Sequence, residues 1–212
     1  MIELKIKTFD DMSLQTYYAI EKLKNDNTKD AVDFEIELLS ILCGCSVDDI
    51  LDLPLSKYQA LRAEAQYVAD FPTITPNCPD NMVINGHKYA ISKDLTKITT
   101  AQYIDFQNYL KMENNVQYVL SCFLIPEGKK YGQGYNVDDV IKDILQLDIV
   151  AALTVCFFFI NLYLTSIKSI LHSLELRMKK EIKKTKNKEI KKQMLKKLEE
   201  IHSLINGAGL TA

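Results

Sequence analysis

The chain has no tryptophan, and only seven glycines and five prolines among 212 residues. Such scarcity of turn formers excludes a chain built of many tight reversals and points to helix. Arginine is nearly missing as well: Arg62 and Arg177 stand against twenty-four lysines. Three histidines, His87, His172 and His202, lie far apart and show no ligand spacing. No serine or cysteine sits in a local pattern that supplies a base and an orienting group, so no catalytic residue is expected. Cysteines number five (Cys43, Cys45, Cys78, Cys122, Cys156), an odd count that argues for buried free thiols in a reducing compartment. A metal at the Cys43-x-Cys45 pair would need two further soft ligands that the sequence does not offer, and neither metal nor cofactor is expected. The phosphate-cradling pattern G-x-x-x-x-G-K-[ST] is missing too. Gly128–Gly134 (GKKYGQG) therefore reads as a mobile connector. The first eleven residues alternate polar and apolar without an apolar core, which predicts no secretory signal.

Charge distribution is the strongest positive feature. Residues 177–197 carry eleven basic and two acidic side chains; residues 1–176 carry fifteen basic and twenty-four acidic. A nearly neutral protein thus divides into a body near −9 and a late segment near +9. Ahead of that segment, residues 149–167 run without a charge and are long enough to cross a bilayer. A polar stripe (Thr154, Asn161, Thr165, Lys168, His172) argues instead for a helix with one face toward polar neighbours.

The periodicities predict a mainly α fold with minor β. Residues 2–8 alternate as a half-buried strand, and 82–91 form a hairpin around Asn85-Gly86, the pair that a type I′ turn requires. Together they predict a small antiparallel sheet. Helices are expected over 13–24, then from a Thr28 cap with Val32, Ile36, Leu39 and Cys43 inward to a left-handed Gly44. Others follow a Ser46–Asp49 capping box, run from Pro54 to Asp70 with Leu55, Tyr58, Leu61, Ala65 and Val68 inward, follow a Thr99–Gln102 capping box, and cover 115–124. Three prolines mark 72–80 as an irregular linker. From an Asn136 cap to Asn206 there is neither glycine nor proline. A helical run this long is expected to bend or fold back, near Leu147-Asp148 and near Thr185–Lys188. The expected organisation is a body over 1–146, a long helical hairpin or stalk over 147–206 and a flexible tail over 207–212. The acidic pairs Asp48-Asp49 and Asp138-Asp139 fall in first helical turns, where carboxylates complement the helix dipole.

The predicted interaction surface lies in the basic segment. Lys179, Lys180, Lys183, Lys184, Lys186, Lys188, Lys191 and Lys192 surround an apolar stripe of Ile182, Ile190, Met194 and Leu198. Like-charged lysines four apart cost an isolated helix a few tenths of a kcal/mol each, which a partner would offset. That partner is a protein surface or, alternatively, nucleic-acid phosphate. With one arginine and no aromatic in the segment, any nucleic-acid contact would be nonspecific and salt-sensitive.

Two stretches resemble a known group. Residues 46–61, SVDDILDLPLSKYQAL, are similar to S-x-x-[ED]-[IL]-x-x-L-P-L-x-x-[FY]. Residues 83–110, VINGHKYAISKDLTKITTAQYIDFQNYL, are similar to G-[KH]-x-Y-x-x-x-x-D-L-x-x-[IL]-T-x-x-[EQ]-[FY]-[IL]-D. Both patterns resemble small helical virion- and tail-assembly proteins of tailed bacteriophages, including crAss-like phages. The resemblance implies a non-enzymatic structural protein of the virion, assembled in the bacterial cytoplasm. Its expected role is an oligomeric ring or head–tail connector that contacts copies of itself and other phage proteins. A tail-assembly chaperone that leaves before maturation is the alternative. The lysine-rich C-terminal helix lies outside the resemblance.

Overall fold

The computed structural model describes residues 2–75 and 77–207, with side chains through 201. It is mainly α with one small sheet. In chain order the elements are α1 (Leu14–Lys24), α2 (Ala31–Cys43), α3 (Val47–Leu51), α4 (Leu55–Glu64), β1 (Asn81–Ile84), β2 (His87–Ile91) and α5 (Thr100–Tyr109). They continue with α6 (Val116–Ser121), β3 (Leu124–Pro126), α7 (Val137–Leu145), α8 (Ile149–Lys184) and α9 (Lys188–Gly207). The described chain forms two compact units that meet within α8, between Phe158 and Phe159. The first extends beyond residue 146 because the opening turns of α8 carry buried residues: Ile149, Ala152, Leu153, Val155 and Cys156. Residues 208–212 of the expected tail lie outside the described residues, whereas Gly207 belongs to α9.

Local signals place most helix starts. Ser46 and Asp49 exchange side-chain and backbone hydrogen bonds in a capping box, as do Thr99 and Gln102. Asn136 accepts from the Asp138 amide and opens α7. The α2 cap is two residues later than expected. Thr28 is held in a turn by Asp26, which accepts from its amide (3.1 Å) and hydroxyl (2.6 Å). Asp30 instead accepts from the Val32 and Asp33 amides. Leu39 and Cys43 are buried as expected, joined by Leu38 and Leu42, whereas Ile36 is half-buried and Val32 is exposed. Gly44 ends α2 at φ 60°, as its type requires. The helix from Pro54 is α through Glu64 and then tightens to 3-10 over Ala65–Ala69. Leu55, expected to face inward, is exposed.

The sheet corrects one expectation. Its order is β1-β2-β3, antiparallel throughout, and residues 2–8 are not in it. The amides of Lys5 and Ile6 both donate to the Leu42 carbonyl at the end of α2 (3.0 and 3.2 Å). The alternating N-terminal segment thus stabilises a helix terminus, where carbonyls lack intrahelical partners. The third strand is Leu124–Pro126, paired with Ile91, Ala90 and Tyr89 in turn. The α6 helix accordingly stops at Ser121 rather than running to 124. Asn85 (φ 51°) and Gly86 (φ 80°) supply the hairpin's two positive-φ positions.

The first unit's core joins these pieces. Phe106 of α5 and Phe123 meet edge to face at 5.1 Å, both fully buried. A short antiparallel bridge ties the chain start to the later bend. Leu14 N donates to Leu147 O and Ile149 N to Met12 O, both at 2.8 Å. That bridge fixes the break expected near Leu147-Asp148, and Asp148 then accepts from the Ala151 amide (2.7 Å) to open α8.

In the second unit, α8 ends at Lys184 and α9 begins at Lys188. The Asn187 carboxamide accepts from the Glu189 (2.9 Å) and Ile190 (3.3 Å) amides and caps α9. Thr185 Oγ1 lies 3.9 Å from Met194 Sδ. Along a straight helix those residues would stand roughly 13 Å apart at 1.5 Å per residue, so the chain reverses here. Burial recurs at Glu175, Ile182 and Leu198, with Leu171, Met178, Met194 and Ile201 half-buried. Steps of three and four on each helix make one seam of an antiparallel pair.

Candidate functional site

The seam decides how the predicted surface is presented. Ile182 and Leu198 are buried and Met194 is half-buried, so most of the apolar stripe is used within the unit. Ile190 remains 49% exposed. Lys179, Lys180, Lys183 and Lys184 on α8, Lys186 in the connector, and Lys188, Lys191 and Lys192 on α9 are all exposed. Acid partners are few: Glu175 pairs with Lys179, and Glu181 lies 3.3 Å from Lys184. Larger apolar side chains stand within the lysine-rich stretch or in the turns of α8 just before it. Ile170, Leu174, Leu176 and Leu195 are exposed, as is Ile190. Folding therefore leaves a lysine-clad helix pair with its own seam filled and a second set of apolar groups in solvent.

The polar stripe of α8 splits between environments. Thr154 is buried; Asn161, Thr165 and His172 are exposed, and Lys168 is half-buried. By length and composition α8 is apolar enough to cross a membrane, with mean hydropathy 2.0 in its most apolar window, of which 39% is buried.

A second constellation lies in the first unit, and sequence reasoning missed it. The buried Asp143 carboxylate on α7 accepts from Asn85 Nδ2 (3.0 Å), His87 Nδ1 (2.6 Å) and Tyr89 OH (2.5 Å). His87 and Tyr89 alternate along β2 and so share one face, and Asn85 reaches the same carboxylate from the turn. On α7, the buried Val140 and Ile144 turn the intervening Asp143 toward the core. The readable signal was the alternation of His87 and Tyr89 directly after the Asn85-Gly86 turn; their acceptor, 54 or more residues away, was not readable. Burial pushes the Asp143 pKa up, but hydrogen bonds from Tyr89, His87 and Asn85 outweigh it and hold it below 3.8. The Tyr89 phenol is raised by burial and by the carboxylate it bonds. A cavity of about 520 Å³ opens beside the cluster, lined by His87, Glu127, Tyr135, Asn136 and Asp139 among others. Its described lining contains no serine, threonine or cysteine to serve as a nucleophile. The arrangement clamps the hairpin to α7.

A similar tie holds the glycine-rich loop. Tyr131 OH donates to Asp105 (2.7 Å) on α5, with Cys122 Sγ 3.9 Å away. Burial raises the thiols of Cys43 to about 11 and of Cys122 and Cys156 to about 12, so they stay protonated and unreactive at neutral pH. All five cysteines are free, and Cys43, Cys78, Cys122 and Cys156 are buried. Among the described residues no group of three metal-ligating side chains comes together.

Comparison of the chain with protein-family models, with curated proteins and with solved structures finds no match.

Proposed function

We propose that this chain is a non-enzymatic structural protein of a tailed bacteriophage, an oligomeric ring or connector subunit that works through protein–protein contacts. The observation that carries this reading is the helix pair of the second unit. Its seam is filled, yet it presents eight of the predicted lysines and five large apolar side chains to solvent. Exposed apolar groups ringed by one sign of charge are the chemistry of an interface whose partner is acidic. The resemblance of residues 46–61 and 83–110 to phage assembly proteins supplies the biological setting. In this role the protein needs no cofactor, and its place is the virion, after assembly in the bacterial cytoplasm.

Mass spectrometry of purified particles tests the reading. A chain present in fixed proportion to the major virion proteins supports it; a chain found in infected cells but missing from particles replaces it with a tail-assembly chaperone. The same exposed lysines favour one further reading, nonspecific binding to nucleic acid. That reading requires retention of DNA on a filter at low salt, with log affinity falling linearly in log salt.

A further inference from the structure

The second unit repels itself. From Phe159 to Gly207 it holds twelve basic residues (Lys168, Arg177 and ten lysines after it) against five acidic ones (Glu175, Glu181, Glu189, Glu199, Glu200). Two such surfaces cannot meet face to face without stacking like charges, which excludes a self-complementary contact between them. Their apolar groups need a surface that is apolar and acidic at once.

The first unit carries one. Residues 30–56 contain seven carboxylates and no basic side chain. Gly44 turns the chain from α2 into α3, and α4 is held to α2 by Tyr58 OH and Arg62, both bonded to Glu35 (2.9 and 2.7 Å). These elements thus neighbour one another. Four large apolar residues on them face solvent: Val32, Val47, Leu51 and Leu55, the last 69% exposed. Several carboxylates are already engaged. Asp30 and Asp49 cap helices, Glu35 holds Tyr58 and Arg62, and Glu37 holds Lys29. Among the described residues Asp33, Asp48 and Asp52 have no cationic partner. Asp48 and Asp52 flank Leu51 along the chain, and Asp33 follows the exposed Val32.

We propose that the lysine-clad helix pair of one copy docks on the α2–α3–α4 surface of a second copy. Leu51 and Leu55 meet the exposed aliphatic groups, and Asp48 and Asp52 meet lysines of the helix pair. Apolar contact supplies the affinity, and charge selects the partner and hastens encounter. The two surfaces differ, so the contact is heterologous: each copy offers one donor and one acceptor face, and repetition closes a ring or extends a filament. This inference rests on the reading of the chain as a self-associating protein and names the partner surface.

The test uses the full chain and reverses each face separately. One variant carries Lys188→Glu, Lys191→Glu and Lys192→Glu; the other carries Asp48→Lys and Asp52→Lys. Asp49 is left intact because it closes the α3 capping box. All five substituted side chains are exposed, and thermal melting monitors the fold of each variant. Light scattering is expected to give an associated wild-type protein at low salt, a monomer for each variant alone, and restored association in their equimolar mixture. Mixing restores both kinds of contact, because each variant keeps one native face and presents one reversed face that matches its companion. A third variant, Leu55→Glu, is expected to weaken association tenfold or more without a change in melting. Association that survives either reversal, a mixture that stays monomeric, or a wild-type chain that is monomeric at every concentration overturns the proposal. The particle measurement reads the virion assignment independently: a chain stoichiometric in particles whose association ignores both reversals keeps that assignment and loses this contact.

Discussion

Asp143 shows how a single residue can hold two elements together. Three donors from one hairpin converge on a carboxylate that burial alone would drive toward neutrality, and they keep it ionised. Asp143→Asn preserves the shape but removes the charge that strengthens all three bonds, and it places an amide donor against the Tyr89 hydroxyl. Charge-assisted hydrogen bonds of this kind contribute about 1.5–3 kcal/mol, so a loss of about 1–3 kcal/mol is expected in urea unfolding at neutral pH. The folded pKa lies below the ordinary 3.8, so the contribution is complete above that value and is lost as pH falls through the folded one. Wild-type stability should therefore fall more steeply on acidification than that of Asp143→Asn, and the two should converge below the folded pKa. Equal slopes across this range would exclude the clamp.

At the scale of elements, caps and terminations carry the specificity. Gly44 sits at φ 60°, and a Cβ there would also stand 3.1 Å from Lys5 Nζ, whose ammonium donates to the Gly44 carbonyl (3.3 Å). Gly44→Ala should cost about 1–2 kcal/mol, mostly from forcing an L-residue into the left-handed region. A melting temperature equal to wild type would show that the turn relaxes freely. Asn187 is the corresponding device in the second unit. Asn187→Ala removes the acceptor for two α9 amides and should cost about 1 kcal/mol, read as faster hydrogen exchange at Glu189 and Ile190. Unchanged exchange there would mean that water or a neighbouring carbonyl caps the helix equally well.

For the whole molecule the governing quantity is charge asymmetry. A −2 chain with a +9 segment behaves differently at short and long screening lengths. Light scattering at low salt should report an assembly, and raising the salt should shift its midpoint to higher protein concentration, because contacts between exposed charges weaken as the Debye length shrinks. An assembly indifferent to salt would place the association on apolar contacts alone.

Much of this architecture was legible in the sequence because it is local. Capping boxes at Ser46 and Thr99, the Asn85-Gly86 turn, the left-handed Gly44 and the breaks near 147 and 185 each depend on a few consecutive residues, and the structure places all of them where the sequence reading did. The segment at 2–8 was misread because alternation reports only that one face is buried. It does not say whether a strand or a helix end accepts the backbone bonds, and here the Leu42 carbonyl does. Leu124–Pro126 was invisible as a strand for the opposite reason: three residues hold too little periodicity to distinguish them from the end of a helix. The Asp143 cluster required distant partners, and so did the burial of Leu38 and Leu42 on α2 while Val32 at its start stays in solvent. In the second unit, composition alone determined that a basic amphipathic run exists. Only the reversal at Thr185–Asn187 decided which apolar residues fill the seam and which stay in solvent, because a helix has more than one apolar stripe and the fold selects which of them is covered.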